Sequence, residues 1–184
     1  AEGKARWGQS LEVFYRLYEE TSARDKIALH PDSYYRKLFE LAEDSGGDSL
    51  PPELRVWTAR HEGEALASII TIFWRGEATY LYGASSNEKR NLMPTYALQW
   101  EAIKAAKAAA CQSYDFYGIP PTEDPDHPMA GLYRFKTGFG GAILHRAGSW
   151  DLALRPTLYA GFRRAEALRS WYYKDFRKRG LSRS

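Results

Sequence analysis

The sequence predicts an α/β domain in which a mixed β-sheet is flanked by helices. Three observations support this: two amphipathic helical stretches come first, three strand-like runs with short connections follow, and helical and strand-like segments then alternate. The connections at Glu62-Gly63 and Arg75-Gly76 are too short for a crossover, so these three strands must pair antiparallel. A helix separates them from the next strand, which allows parallel pairing and makes the sheet mixed.

The first two elements are predicted to be helices. Apolar side chains recur at helical spacing between residues 10 and 23, at Leu11, Phe14, Leu17 and Tyr18. Ser10 is the expected N-cap of this helix. The second helix is predicted from Pro31 or Asp32 through Leu41, with Asp32 as its cap and with Tyr35, Leu38 and Phe39 facing inward.

The three antiparallel strands are predicted at residues 54–60, 65–74 and 79–84, where β-branched and aromatic residues cluster. A helix follows from about residue 91 or 93 to 110, with Pro94 in its first turn. Its predicted inward face consists of Tyr96, Ala97, Trp100 and Ile103.

The remaining elements alternate between strand and helix. A strand is predicted at 113–119 and is expected to be central in the sheet; a short helix follows at 130–137. A hairpin with strands at 142–146 and 149–154 leads into a basic helix at about 156–180. No internal repeat interrupts this order.

Length and composition restrict the class of protein. At 184 residues, 44% of them apolar, the chain can bury one substantial core, so we expect a single domain over 1–184. The apolar run from Ile69 to Trp74 is far shorter than the roughly 20 residues of a membrane-spanning helix. A lone cysteine, Cys111, excludes a disulfide framework and favours a reducing, cytoplasmic compartment; we interpret it as structural.

The net charge of +3 is unevenly distributed. Residues 155–184 contain nine Arg or Lys residues and two acidic ones, so the basic excess belongs to the C-terminal helix. A solvated helix is one interpretation of this segment. The other is an electrostatic patch for RNA phosphates or anionic lipid head groups.

Three long and unusual motifs occur between residues 10 and 159. They are LYEET at 17–21 with Arg24, Asp25 and His30; YLYGASSN at 80–87 running into LMPTYALQWEA at 92–102; and YDFYGI at 114–119 with GLYRFKTGFGG at 131–141. Together they resemble the Fem family of peptidoglycan aminoacyltransferases. The order of elements likewise resembles the Gcn5-related acetyltransferase architecture.

The resemblance implies an acetyltransferase-like domain that is the second of two, with an N-terminal partner domain preceding it. It implies transfer of an amino acid from aminoacyl-tRNA to an amine of a peptidoglycan precursor. The precursor is expected to be either a UDP-sugar peptide or a lipid-linked peptide. The expected location is the cytoplasm or, peripherally, its membrane face. No cofactor is expected.

An aminoacyl ester is already activated, so an amine can attack it without a protein nucleophile. The protein has to orient two large substrates and stabilise the negative charge that develops on oxygen. Phe135 and Lys136 match the Phe-Lys pair that the family places at its active centre, which implies Lys136 for charge stabilisation and Phe135 for positioning. The alternative is a solvated lysine beside a core phenylalanine.

Asp115 is the third candidate catalytic residue. It could act as a general base for the incoming amine, or it could be a hydrogen-bonded structural aspartate at a strand end, and the sequence does not separate the two. The loop at 85–91 occupies the position where acetyltransferases wrap a pyrophosphate, but it lacks Gly-x-Gly spacing. Asn87 and Arg90 could hold a phosphate or carboxylate there, or the loop could simply cap the next helix.

The family's second domain faces the nucleotide-sugar part of its acceptor, and the resemblance places Arg24, His30, Tyr34 and Tyr35 there. The other candidate substrate-binding residues lie in the same motifs: Tyr82, Ser85, Tyr117 and Arg134. His30 and His127 are isolated, with no His-x-x-x-His or Cys-x-x-Cys spacing in the chain, so no metal site is predicted.

Two other functions fit parts of the sequence. One is an N-acetyltransferase that uses acetyl-coenzyme A, which the predicted architecture would also suit. The other is a non-catalytic module that binds RNA or an anionic membrane through the basic C-terminal helix.

Overall fold

In the described residues, four strands and four α-helices build the first part of the molecule, and a fifth α-helix lies in the second part. The computed structural model describes residues 2–45, 51–120 and 122–172. It divides the chain into two compact units, residues 1–141 and 142–184, and each is described separately below. The proposal of a single domain over 1–184 stays a prediction.

Two helices begin the first unit, α1 (Glu2–Asp25) and α2 (Asp32–Asp44). The predicted cap at Ser10 is wrong, because α1 already begins at Glu2. Gly8 does not interrupt the helix, since one glycine in a helix costs only about 1 kcal/mol relative to alanine. The predicted cap at Asp32 is also wrong: the extended residue Pro31 occupies that position. Asp32 is the first helical residue, and its carboxylate accepts a hydrogen bond from Arg36.

The described sheet has four strands in the order β1-β2-β3-β4: β1 (Glu53–His61), β2 (Glu64–Trp74), β3 (Glu77–Ser85) and β4 (Ser113–Asp115). The first three pair antiparallel, and β4 pairs parallel to β3. The predicted mixed sheet is therefore confirmed. The expectation that the strand of Asp115 is central is wrong, because β4 lies at the edge of the described sheet.

Strand β4 is shorter than the predicted strand at 113–119. It ends at Asp115, and Tyr117 adopts a left-handed conformation with φ 63°. An extended strand cannot continue through such a residue. The pairing between β3 and β4 therefore covers only the register from Glu77–Ser113 to Thr79–Asp115.

A β-bulge changes the direction of the side chains along β3. Tyr82 lies opposite Ile70 and Tyr80 lies opposite Thr71, so Leu81 is the extra residue. Because neighbouring β2 residues face opposite sides, the bulge turns Tyr80 and Tyr82 to opposite faces of the sheet. Tyr82 packs on the α1 and α2 side, and Tyr80 packs on the other side.

Helix α3 (Pro94–Ala108) connects β3 to β4 and follows a 3₁₀ turn at Arg90–Leu92. Its predicted inward face is wrong for Trp100, which is 57% exposed, and for Ala97, which is also exposed, whereas Tyr96 and Ile103 are half-buried. The residues that are buried are Leu98, Gln99, Ala102 and Ala106. Small alanines allow α3 to lie close to the sheet, where it covers the face that carries Tyr80.

Helix α4 (Ala130–Thr137) completes the first unit and agrees with the prediction. In the second unit, helix α5 (Pro156–Trp171) confirms the beginning of the predicted basic helix, whereas residues 173–184 lie outside the described part. The predicted hairpin is wrong, because the described residues 142–155 form no strand. Alternating apolar residues do not suffice there, since a lone hairpin is marginal in water.

Candidate active site

The candidate active site lies where β3 and β4 separate. The two strands are parallel neighbours, and the chain leaves both at the same edge of the sheet. Crevices at the carboxyl ends of parallel strands are the usual ligand sites of α/β sheets. Here β4 stops pairing after Asp115, while β3 continues through Tyr80 and Tyr82 to Ser85. The helix α4 brings Lys136 to this opening.

Lys136 is the most strongly constrained of the predicted catalytic residues. Only 9% of it is exposed, and its Nζ donates hydrogen bonds of 2.6 Å to the carbonyl oxygens of Phe116 and Gly118. The same Nζ lies 5.3 Å from the centre of the Tyr80 ring. A lysine ammonium has three N–H donors, so these two bonds leave one N–H for another acceptor.

The surroundings of Lys136 favour loss of its proton. Burial lowers the pKa of Lys136 from 10.5 to about 8, because the charged form loses its hydration, and the negative charge of Asp115 opposes this effect. With a pKa of about 8, Lys136 is still mostly protonated at pH 7 and loses its proton only slightly above physiological pH, while its hydrogen bonds hold it in place. Perturbed groups of this kind are frequent at catalytic sites.

Phe135 fixes the direction of α4. Its ring packs edge-on against Tyr96 of α3, with centroids 4.9 Å apart, and against Phe139 at 5.6 Å. Phe139 also contacts Phe116 at 4.9 Å. This aromatic cluster holds one face of α4 against α3, so the adjacent residue, Lys136, is directed into the opening. The role of Phe135 in positioning the substrates stays a prediction.

Asp115 lies at the last position of β4. Its Oδ1 accepts a 2.7 Å hydrogen bond from the backbone N–H of Tyr117, two residues further along. This is the Asx-turn arrangement, and it fixes the peptide plane between Phe116 and Tyr117. The side chain of Tyr117 is 66% exposed and extends from the turn.

A second group of predicted residues lies at the far end of β3. Nη1 of Arg24 donates to the carbonyl oxygen of Ser85 at 3.0 Å and to Oδ1 of Asn87 at 2.9 Å. Its Nη2 lies 3.2 Å from Oγ of Ser85. Asp25 also pairs with the guanidinium. The structure thus brings Arg24, Ser85 and Asn87 together, as a bridge between α1 and the loop after β3.

The backbone amides of this loop are already hydrogen-bonded. Ser85 N–H donates to Oγ1 of Thr21 at 2.9 Å, and Asn87 N–H donates to Oε1 of Glu20 at 2.5 Å. Ser86 N–H donates to a β2 carbonyl at 2.8 Å. The sequence analysis did not predict this part of Glu20 and Thr21 in holding the loop, although both belong to the LYEET motif.

The third group is aromatic and consists of His30 just before α2, Tyr34 and Tyr35 at the beginning of α2, and Tyr82 of β3. His30 stacks on Tyr34 with ring centroids 4.3 Å apart, and the hydroxyls of Tyr34 and Tyr82 share a 3.0 Å hydrogen bond. Tyr35 is 1% exposed and packs edge-on against Tyr82, so its ring belongs to the core. Burial and the hydrogen bond with Tyr34 raise the pKa of Tyr82; the hydroxyl of Tyr117 adds to the shift. His30 and Tyr34 present the accessible surface of this group.

Two predicted residues are not gathered into these groups. Arg90 lies in the exposed 3₁₀ turn, and Arg134 is exposed on α4. Within the described ranges, no three His, Cys, Asp or Glu side chains gather in a way that could hold a metal ion. None of the described helices combines the length and apolar character of a membrane-spanning helix.

Comparison with known proteins matches residues 55–167 to the FemAB family. The Lipid II:glycine glycyltransferase of Staphylococcus haemolyticus (strain JCSC1435) is 34% identical over 102 residues, which are 55% of this chain and 24% of that protein. The Lipid II:glycine glycyltransferase of Staphylococcus aureus (strain bovine RF122 / ET3-1) is 29% identical over 161 residues, 84% of this chain and 34% of that protein. The chain therefore spans between a quarter and about a third of these relatives.

Among solved structures, a transcriptional regulator from Bacillus halodurans C-125 has a similar fold. It is 18% identical, with a TM-score of 0.50, over 79% of this chain and 94% of that one. At this identity the likeness concerns the fold alone. The sheet order and the parallel β3-α3-β4 unit are those of the Gcn5-related acetyltransferase fold, so the predicted fold class is confirmed.

Proposed function

The chain belongs to the FemAB family, and from this premise we propose that it carries the catalytic centre of an aminoacyltransferase. The proposed reaction moves an amino acid from aminoacyl-tRNA to an amine of a peptidoglycan precursor. One observation carries the proposal: a buried lysine ammonium, held by two backbone carbonyls, lies at the opening between two parallel strands.

In the proposed reaction, the lone pair of the acceptor amine attacks the ester carbonyl carbon. A C–N bond forms, and the carbonyl oxygen becomes an oxyanion that the free N–H of Lys136 can stabilise. The C–O bond to the ribose then breaks, the ribose oxygen leaves with the bonding pair and takes a proton, and the nitrogen loses one. No nucleophile of the protein is required, because the ester is already activated.

Acetyl-coenzyme A is a poor alternative donor for this site. A pyrophosphate at the loop after β3 needs free backbone N–H groups, yet those of Ser85 and Asn87 donate to Thr21 and Glu20. The carboxylate of Glu20 at the same place would repel an anion. We therefore expect no calorimetric binding of acetyl-coenzyme A below about millimolar concentration. Micromolar affinity would contradict this and favour an N-acetyltransferase.

The acceptor is proposed to lie against the aromatic group of His30, Tyr34 and Tyr82. The relatives are named for glycyl transfer to lipid II, a lipid-linked precursor. We propose the same class of acceptor for this chain, with the enzyme working at the cytoplasmic face of the membrane. A further acetyltransferase-like domain of the full-length protein is proposed to contribute the rest of the cleft.

The direct test uses the full-length protein with aminoacyl-tRNA charged with a radiolabelled amino acid and with lipid-linked or UDP-linked precursor. The expected result is a labelled precursor that carries a new amide bond. Uncharged tRNA with the free amino acid is the control and should yield none. Efficient modification of the precursor by acetyl-coenzyme A, or a lack of transfer from every aminoacyl-tRNA, would remove the proposal.

The pKa of Lys136 predicts opposite pH effects on activity and on stability. The ammonium is required for charge stabilisation, so the transfer rate should fall as pH rises through about 8. Between about pH 8 and 10 the unfolded chain, in which this lysine has an ordinary pKa, binds more protons than the folded chain. The free energy of unfolding should therefore gain up to about 1.4 kcal/mol per pH unit from this group.

Both quantities can be measured on one protein sample, from initial rates and from urea unfolding at pH 7 to 10. In Lys136→Met the contribution of this group to the rise of stability should disappear. A transfer rate that increases steadily across pH 8 in the unmodified protein would show that the charged form is not the active one.

A further inference from the structure

The turn after β4 holds an unfavourable backbone conformation with the help of Asp115. Tyr117 has φ 63°, a left-handed conformation that an aromatic residue rarely adopts. The 2.7 Å hydrogen bond from its backbone N–H to Oδ1 of Asp115 fixes the preceding peptide plane, which contains the carbonyl of Phe116, and so helps to hold the turn. Strained backbone of this kind persists where surrounding contacts enforce it.

The consequence of the turn is seen at the residues on either side of Tyr117. Phe116 and Gly118 both direct their carbonyl oxygens at Nζ of Lys136, each at 2.6 Å. Two carbonyls from residues i and i+2 of an extended strand would point in the same direction but about 7 Å apart. A turn at the residue between them is therefore required for both to reach one ammonium.

We propose that Asp115 is a positioning residue of the transfer reaction: its hydrogen bond to the N–H of Tyr117 holds the turn so that the carbonyls of Phe116 and Gly118 bind the ammonium of Lys136. This inference rests on the proposed function and deepens it. It replaces the general-base role that the sequence left open for Asp115. Among the described residues, the hydrogen bonds of the Lys136 ammonium are to this turn and not to α4 itself.

The position of Asp115 agrees with this role. Its Oδ1 is occupied by a backbone N–H, which a base waiting for a substrate amine would have to give up. Its charge acts on Lys136 through space and favours the ammonium. Besides the two carbonyls, the titratable groups that the described residues place near the ammonium are Asp115 on β4 and Tyr80 on β3.

Two substitutions separate the roles. In Asp115→Asn the amide oxygen can still accept from the N–H of Tyr117, but the residue can no longer take a proton. In Asp115→Ala the acceptor is lost and the turn relaxes. We expect Asp115→Asn to lose no more than about fivefold in transfer rate and Asp115→Ala to lose about tenfold.

A third substitution tests the turn itself. Glycine adopts positive φ without a steric cost, so Tyr117→Gly should restore the turn in the Asp115→Ala background. The loss caused by Asp115→Ala should then be smaller in Tyr117→Gly protein than in protein with Tyr117. This comparison cancels any loss that results from removing the exposed tyrosine side chain.

Two further measurements distinguish the proposed role of Asp115 from a purely structural one. The pH above which the transfer rate declines should move down in Asp115→Asn, since the charge that favours the ammonium is gone. Hydrogen exchange at the amide of Tyr117 should stay slow in Asp115→Asn and become fast in Asp115→Ala. The exchange measurement needs no activity, so it tests the turn even if the proposed function fails.

Three results would overturn the inference. The first is a loss in Asp115→Asn as large as in Asp115→Ala while the amide of Tyr117 stays protected, because this would identify Asp115 as the base. The second is fast exchange of that amide in the unmodified protein. The third is an equal loss from Asp115→Ala with Tyr117 and with Gly at position 117.

Discussion

Replacing Lys136 by methionine is expected to lower the rate of aminoacyl transfer by about a hundredfold or more, with the fold retained. Loss of one group that stabilises a developing oxyanion costs about 3 kcal/mol in the transition state. Methionine fills a similar volume in this nearly buried position and removes the cost of burying a charge. The rate is measured with saturating aminoacyl-tRNA, and the fold is checked by circular dichroism and thermal unfolding.

A matched control is Lys107→Met, because Lys107 lies exposed in the last turn of α3. That variant should transfer at the normal rate and unfold at the normal temperature. Near-normal turnover by Lys136→Met would withdraw Lys136 as the catalytic cation. A variant that has lost its circular dichroism signal would point to a structural role instead.

The strands were the part of the fold that local sequence signals predicted best. The segments β1, β2 and β3 combine β-branched and aromatic residues with connections of two residues, Glu62-Gly63 and Arg75-Gly76. These signals depend on neighbours along the chain alone. The topology followed from them, because short connections allow only antiparallel pairing.

The predictions that were wrong concern features that depend on contacts between residues distant in sequence. In α3 the many alanines give no clear pattern for the inward face. Leu98 and Ala102 pack against the sheet, and Trp100 is exposed. In residues 142–155 the apolar alternation suggested a hairpin, but a pattern cannot supply the partner that a hairpin needs.

The candidate site shows the same division. The motif resemblance located Lys136 and Phe135, whereas the acceptors that hold Lys136 are backbone carbonyls, which no residue type reveals. The bond between Thr21 and Ser85 joins residues that are 64 positions apart. Such a contact follows only from the packing of α1 against β3. The bulge at Leu81, which separates Tyr80 from Tyr82, was likewise not predicted.

Replacing Gly83 by alanine is expected to disturb Tyr80 and, through it, the site of Lys136. A Cβ at position 83 would lie 1.9 Å from Oη and 2.8 Å from Cζ of Tyr80, because the tyrosine side chain folds over the glycine. Tyr80 packs in the core beneath α3 and lies under the ammonium, so its displacement affects both. We expect a loss of about 1–3 kcal/mol in the free energy of unfolding, the usual cost of overpacking.

The transfer rate should fall by about tenfold in Gly83→Ala, since the support beneath the ammonium shifts. Stability is measured by urea unfolding and transfer by initial rates. Removing the hydroxyl with Tyr80→Phe deletes the 1.9 Å contact but leaves the 2.8 Å one, so Gly83→Ala with Tyr80→Phe should recover part of both losses. The loss in the double variant has to be smaller than the sum of the two single losses, and a double-mutant cycle measures this difference.

Gly131→Ala is the matched control, because a Cβ added at this glycine would not clash with other atoms. An added Cβ there meets nothing within 4 Å, and alanine in helix α4 should stabilise the protein by up to about 1 kcal/mol. If Gly83→Ala were as harmless as Gly131→Ala, Tyr80 would not be held over the glycine. If Gly83→Ala lowers stability strongly and Tyr80→Phe recovers none of the loss, the added Cβ strains the backbone of β3 and does not clash with the side chain of Tyr80.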